Sequence, residues 1–188
     1  GDIHETGPQF DDHAVAAWNG VAWEHLSTTS VLDGIVRDFL HVPGGLVAVG
    51  YAHANNNPAA SLTLWDGAQW TPVSTFAELS VNGAALFQGD YYLTGSSLFS
   101  GQPEGIGRLV GDTLISLDDA RLTNAGRPVV LQNELIVTAG TATFQNAALS
   151  GTNVIAAWDG ADWRILGRSP EFSSAPAALV VHDGQLIA

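Results

Sequence analysis

All six tryptophans of this chain fall in three copies of one motif, Trp-Asp/Asn-Gly-x-x-Trp, and no other feature restricts the fold as strongly. The copies are Trp18-Asn19-Gly20-Val21-Ala22-Trp23, Trp65-Asp66-Gly67-Ala68-Gln69-Trp70 and Trp158-Asp159-Gly160-Ala161-Asp162-Trp163. Trp18 and Trp65 are 47 positions apart, and Trp65 and Trp158 are 93 apart, close to twice that spacing. A degenerate copy is therefore expected midway. Leu109-Val110-Gly111-Asp112-Thr113-Leu114 stands there, with Leu109 and Leu114 in place of the tryptophans. Residues 1–188 thus read as a single domain of four units of roughly 47 residues, with motifs at 18–23, 65–70, 109–114 and 158–163.

Each unit repeats a second pattern. Short apolar runs at 35–42, 84–87, 128–131 and 177–181 lead into turn signals at Pro43-Gly44-Gly45, Gln88-Gly89-Asp90, Gln132-Asn133-Glu134 and His182-Asp183-Gly184. A second apolar strand follows at 46–49, 91–93, 135–137 and 186–188. With the two strands flanking the tryptophan motif, this makes four strands per unit. Asp-Gly and Asn-Gly suit type I′ hairpin turns, which need positive φ at both central residues. The paired tryptophans are then cross-strand packing residues. Four-stranded units at this period are the pattern of β-propeller blades, and the strand-length runs exclude helical solenoids.

On these motifs the chain resembles secreted bacterial β-propeller repeats built on Trp-Asp-Gly-x-x-Trp, in the kelch-like and galactose-oxidase-like group. The resemblance covers all four units and implies an all-β propeller of four-stranded blades. It also implies a binding or stalk-like role in a surface protein. The kelch glycine doublet is reduced here to single glycines such as Gly50, Gly95 and Gly140. No Gly-His pair precedes the Trp-Asp dipeptides, unlike WD40 repeats, and Asp and Gly are adjacent, unlike sialidase Asp boxes. A copper radical oxidase needs a Cys cross-linked to Tyr, and the chain has no Cys.

Composition narrows the partner. Nineteen acids oppose six basic residues, all arginine, for a formal net charge of -13. A chain so acidic, with no basic run, excludes nucleic acid and disfavours anionic membranes. Neither a stretch long and apolar enough to span a bilayer nor a signal-peptide pattern at Gly1 is present. Cys and Met are both absent, so disulfides and thiolate chemistry are excluded. The missing lysine and abundant Gly, Ser, Thr and Asn point to an extracellular or cell-surface setting. Gln185-Leu186-Ile187-Ala188 followed by Gly1-Asp2-Ile3-His4 would read as one continuous strand. Either the ends meet in a four-bladed ring, or the chain is a window on a longer array; a cut within one strand and the missing Met favour the window, an incomplete ring.

Candidate chemistry sits in loops. His4 and His53 occupy the same place after Gly1 and Gly50, and Asp12 and His13 follow in the first unit. These four are the binding candidates on the loop face. Leu98 and Thr143 hold the equivalent places elsewhere, so no ring of metal ligands forms and solvated histidines are the simpler reading. Asp11-Asp12 and Asp118-Asp119 lack a calcium-loop pattern. No nucleophile elbow, zinc helix or phosphate loop occurs, and no cofactor is implied. The expected function is a noncatalytic extracellular binding module for an unknown protein or glycan, further blades of the parent chain among its contacts. The alternatives are a propeller-type glycosidase or lyase using loop Asp, Glu or His, and a structural spacer of a large surface protein.

Overall fold

The computed structural model describes residues 15–26, 31–55, 57–78, 80–96, 98, 105–117 and 120–188, and these form an all-β structure of antiparallel sheets. A hairpin of β1 (Ala16–Trp18) and β2 (Trp23–His25) comes first. The first four-stranded sheet runs β3 (Leu32–Val42), β4 (Gly45–Ala54), β5 (Ala60–Trp65) and β6 (Trp70–Pro72), each strand paired with the next in sequence. The second repeats that order with β7 (Val81–Phe87), β8 (Asp90–Gly95), β9 (Gly105–Val110) and β10 (Thr113–Ser116). In the third, β11 (Ala120–Thr123) and β12 (Val129–Leu131) both pair with the long β13 (Glu134–Phe144), which is followed by β14 (Gly151–Trp158) and β15 (Trp163–Gly167). A hairpin of β16 (Val180–His182) and β17 (Gln185–Ile187) ends the chain. The expected four strands per unit are thus present in three units. The two terminal hairpins are separate two-stranded sheets among the described residues, and residues 1–5, whose pairing bears on ring closure, lie outside them.

Because side chains alternate across a strand, the apolar runs cover both faces of each sheet. Val47, Val49 and Leu62 of the first sheet meet Val81, Ala84, Leu93 and Leu109 of the second. Phe87, Tyr92 and Ile106 of the second meet Leu135, Val137 and Val154 of the third. The opposite face of the third, with Ile136, Ile155 and Ala157, takes Leu179 and Leu186 near the last hairpin. The opposite face of the first, with Ala48 and Trp70, takes Val15 and Leu26 beside the first hairpin. The sheets therefore stack in chain order, and the leading strands β3, β7, β12 and β16 touch one another in that order.

The tryptophan motifs pair as the spacing requires: Trp18 with Trp23, Trp65 with Trp70 and Trp158 with Trp163, ring centroids 5.6, 5.4 and 5.3 Å apart. Leu109 pairs with Leu114 in the degenerate unit. The hairpin geometry differs from the type I′ expectation. Four residues separate each tryptophan pair, and the aspartate closes the loop with its side chain. Asp66 Oδ1 accepts the amides of Ala68 and Gln69 at 2.8 and 2.9 Å, and Asp159 Oδ1 those of Ala161 and Asp162 at 2.8 Å each. A carboxylate that mimics a backbone turn in this way needs no positive φ of its own, and only the following glycine adopts one (Gly67 +99°, Gly160 +108°). Two-residue turns with both φ positive occur instead between each leading strand and the next, at Gln88-Gly89, Gln132-Asn133 and Asp183-Gly184.

These loops carry a signed pH dependence. The amide of Gln69 first, then that of Ala68, holds the Asp66 carboxyl below the usual aspartate range, and those of Asp162 and Ala161 do the same for Asp159. A folded pKa below the unfolded one gives a contribution that is complete above the unfolded value and fades as pH falls through the folded value. The Asp66→Ala and Asp159→Ala variants should therefore differ from the parent in denaturant midpoint near neutral pH and converge with it in strong acid. A difference that persists in acid would contradict the loop-closing role.

Candidate functional site

The leading strands converge on one cleft. Counting back from the hairpin turns, Leu40, Ala85, Val129 and Val180 occupy one repeat position, and His41, Leu86, Val130 and Val181 the next. All eight line a single cavity of about 400 Å³, with Arg127, Pro128 and Leu179 completing the wall. That volume lies in the range of small-ligand pockets, and the wall is mostly aliphatic with few polar groups, as such pockets are. Its ionisable lining residues are His41 and Arg127, both basic, in a chain of formal charge -13.

Arg127 is fixed by a partner two units away. Its Nη1 lies 2.9 Å from Asp38 Oδ1, and its Nη2 donates to the Phe39 carbonyl at 3.0 Å. Asp38, Gly83 and Arg127 hold the same repeat position in three consecutive units, each four residues before the end of its leading strand. The contact spans β7 because Gly83 has no side chain: a Cβ there would sit 2.9 Å from the Arg127 Cα. The Asp38 side chain is only 9% exposed and that of Arg127 49%. Asp38 Oδ1 also accepts the Phe39 amide at 2.8 Å, while Oδ2 is buried without a hydrogen bond of good geometry. Burial pushes the Asp38 carboxyl above its ordinary pKa; Arg127 and the amides of Phe39 and Ala84 pull it back only in part.

Of the four sequence candidates, His4, Asp12 and His13 lie outside the described residues, as do Asp11, Asp118 and Asp119. His53 belongs to β4 and not to the following loop: Asp33 of β3 pairs with it, so the strand runs four residues past Gly50. Its Nδ1 faces the Asn57 carbonyl at 3.1 Å and its ring meets Tyr51 edge-on at 5.8 Å. Nothing brings His53 to the leading-strand cleft. No group of three or more His, Cys, Asp or Glu able to hold a metal occurs among the described residues. The ion pair that holds Arg127 in the cleft wall, Asp38 and Arg127, had one signal in the sequence: opposite charges at one repeat position, two units apart, with glycine between them.

No family model, curated protein or solved structure matches this chain.

Proposed function

We propose that the chain is a noncatalytic binding module of β-propeller type, exposed outside the cell, that takes a protein or glycan partner on its leading-strand cleft. The observation that carries this reading is the cleft's construction from the same two repeat positions of four units, Leu40-His41, Ala85-Leu86, Val129-Val130 and Val180-Val181. Serial stacking of antiparallel sheets with their leading strands side by side supports the propeller arrangement. The binding reading is supported by an aliphatic wall and by an Arg127 guanidinium already held by a buried carboxylate. Such a group orients a ligand and does not shuttle protons. The low charge density outside the acids supports the extracellular setting.

The test is a glycan-array and immobilised-protein screen run beside glycosidase and lyase assays. The expected result is a retained ligand, no turnover, and retention at least about tenfold weaker in Leu86→Glu, which places a charge in the aliphatic wall. Turnover of any substrate, or retention untouched by Leu86→Glu, overturns the proposal.

A further inference from the structure

A second cleft, of about 310 Å³, lies between the tip of the β13–β14 hairpin and the Trp158–Trp163 hairpin. Its lining is Phe144, Gln145, Asn146, Leu149, Asp162 and Trp163. We propose that it binds a neutral saccharide; the inference rests on the binding-module reading and adds to it a ligand class and a second site.

The donor and acceptor set decides the class. Trp163 is 7% exposed, and its indole Nε1–H is buried without a hydrogen-bond partner. Its ring lies 5.5 Å from that of Phe144, which is 5% exposed, so the two form an apolar floor. Above the floor stand exposed polar side chains with hydrogen-bonding capacity that the fold leaves open. Asp162 contributes only its backbone to the hairpin loop, its amide donating to Asp159 Oδ1 and its carbonyl accepting the Asp159 amide. Asn146 Oδ1 caps the 3₁₀ turn Ala147–Leu149 by accepting the Ala148 amide at 3.2 Å, which orients its amide and leaves Nδ2 to donate. Gln145 adds an exposed amide that both donates and accepts.

A carboxylate that accepts and two side-chain amides match a ligand whose hydroxyls both donate and accept. An aliphatic ligand would strand the two amides and the carboxylate against carbon, a loss that polar sites discriminate strongly. An anionic ligand meets no cation in this lining and one carboxylate. The C–H face of a sugar suits the Phe144 and Trp163 floor, and its hydroxyls suit the rim.

The indole N–H signals of the protein, six in number, report directly on Trp163. Trp163→Phe removes one signal and so assigns it; if that variant does not fold, the signal displaced by Asp162→Ala identifies it. The intact protein is titrated with glucose, galactose, mannose, N-acetylglucosamine, cellobiose and chitobiose, and with glucuronate and ethylammonium as charged controls. At least one neutral sugar should move the Trp163 signal saturably, with glucuronate weaker than glucose. Asp162→Ala and Gln145→Ala should each weaken that sugar at least about tenfold without changing the denaturant midpoint. No saturable shift with any neutral sugar, a response to ethylammonium alone, or binding indifferent to Asp162→Ala overturns the proposal. If the sugars fail while a ligand sensitive to Leu86→Glu is still retained, this site falls and the binding-module reading stands.

Discussion

Trp70→Ala should destabilise the fold by about 3–5 kcal/mol, the usual cost of emptying a buried aromatic site, whereas Trp18→Ala should cost under about 1 kcal/mol. The two residues belong to the same six-residue motif, so the sequence alone assigns them equal roles. Their surroundings differ. Trp70 is 2% exposed and packed among Leu32, Ala48, Ala52 and Ala54, and Trp18 is 54% exposed. Trp163, 7% exposed against Phe144, should follow Trp70. Guanidinium unfolding of the three variants, read as free energy with the slope checked for constancy, makes the comparison. Equal costs for Trp18 and Trp70 would show that the motif stabilises its own hairpin and not the packing between strands.

That difference also marks how far a repeat pattern can be read. The motifs and turn signals placed the turns at 43–44, 88–89, 132–133 and 183–184 and the cross-strand tryptophan pairs, but not β11, which pairs with the far end of β13. These depend on local chemistry: glycine and asparagine at positive φ, alternating apolar residues and the aspartate that closes a loop. The pattern did not reveal that Trp70 and Trp163 are covered from the far ends of the β3–β4 and β11–β13 pairings, by Leu32 and Ala54 in one case and Phe144 in the other. The degenerate unit fits the same logic. Its β7–β8 hairpin pairs only from Val81 to Gly95, and its motif positions hold the smaller Leu109 and Leu114. A long second strand and a tryptophan pair go together in the first and third sheets, where β4 has 10 residues and β13 has 11, and both are missing from the second, where β8 has 6.

The cleft was harder to read for a related reason. The loop histidines and carboxylates drew attention because their side chains carry chemistry, yet the eight repeat-equivalent residues that line the cleft are mostly aliphatic and look like core. Only the convergence of four leading strands makes a surface of them. His53 illustrates the opposite error. Its sequence neighbourhood of Asn55, Asn56 and Asn57 reads as loop, but pairing with Asp33 extends β4 through it.

The second large effect is expected at Asp38 and Arg127. Removing one member of a fully buried ion pair costs about 3–5 kcal/mol, and because Arg127 is half exposed its loss should cost less, about 2 kcal/mol for Arg127→Met at neutral pH. Most of that cost is the Asp38 carboxylate, 9% exposed and left with backbone amides alone. Asp38→Asn removes the charge that must be buried, so the double variant Asp38→Asn/Arg127→Met should be more stable than Arg127→Met, and the four proteins form a thermodynamic cycle. The pH dependence gives an independent sign. The folded pKa of Asp38 already lies above the unfolded one, so between the two the folded state holds more proton and stability from this group falls as pH rises. Without Arg127 the folded pKa moves higher still. The cost of Arg127→Met should therefore be small below the unfolded aspartate pKa, where Asp38 is protonated in both states, and complete above the folded one. Asp66 and Asp159 shift in the opposite direction, so the readout is the difference between variant and parent at each pH, in which their contributions cancel. A cost that does not change with pH, or a double variant no more stable than Arg127→Met, would mean that Arg127 acts through its contact with the Phe39 carbonyl and its packing over Gly83, and not by neutralising a buried carboxylate.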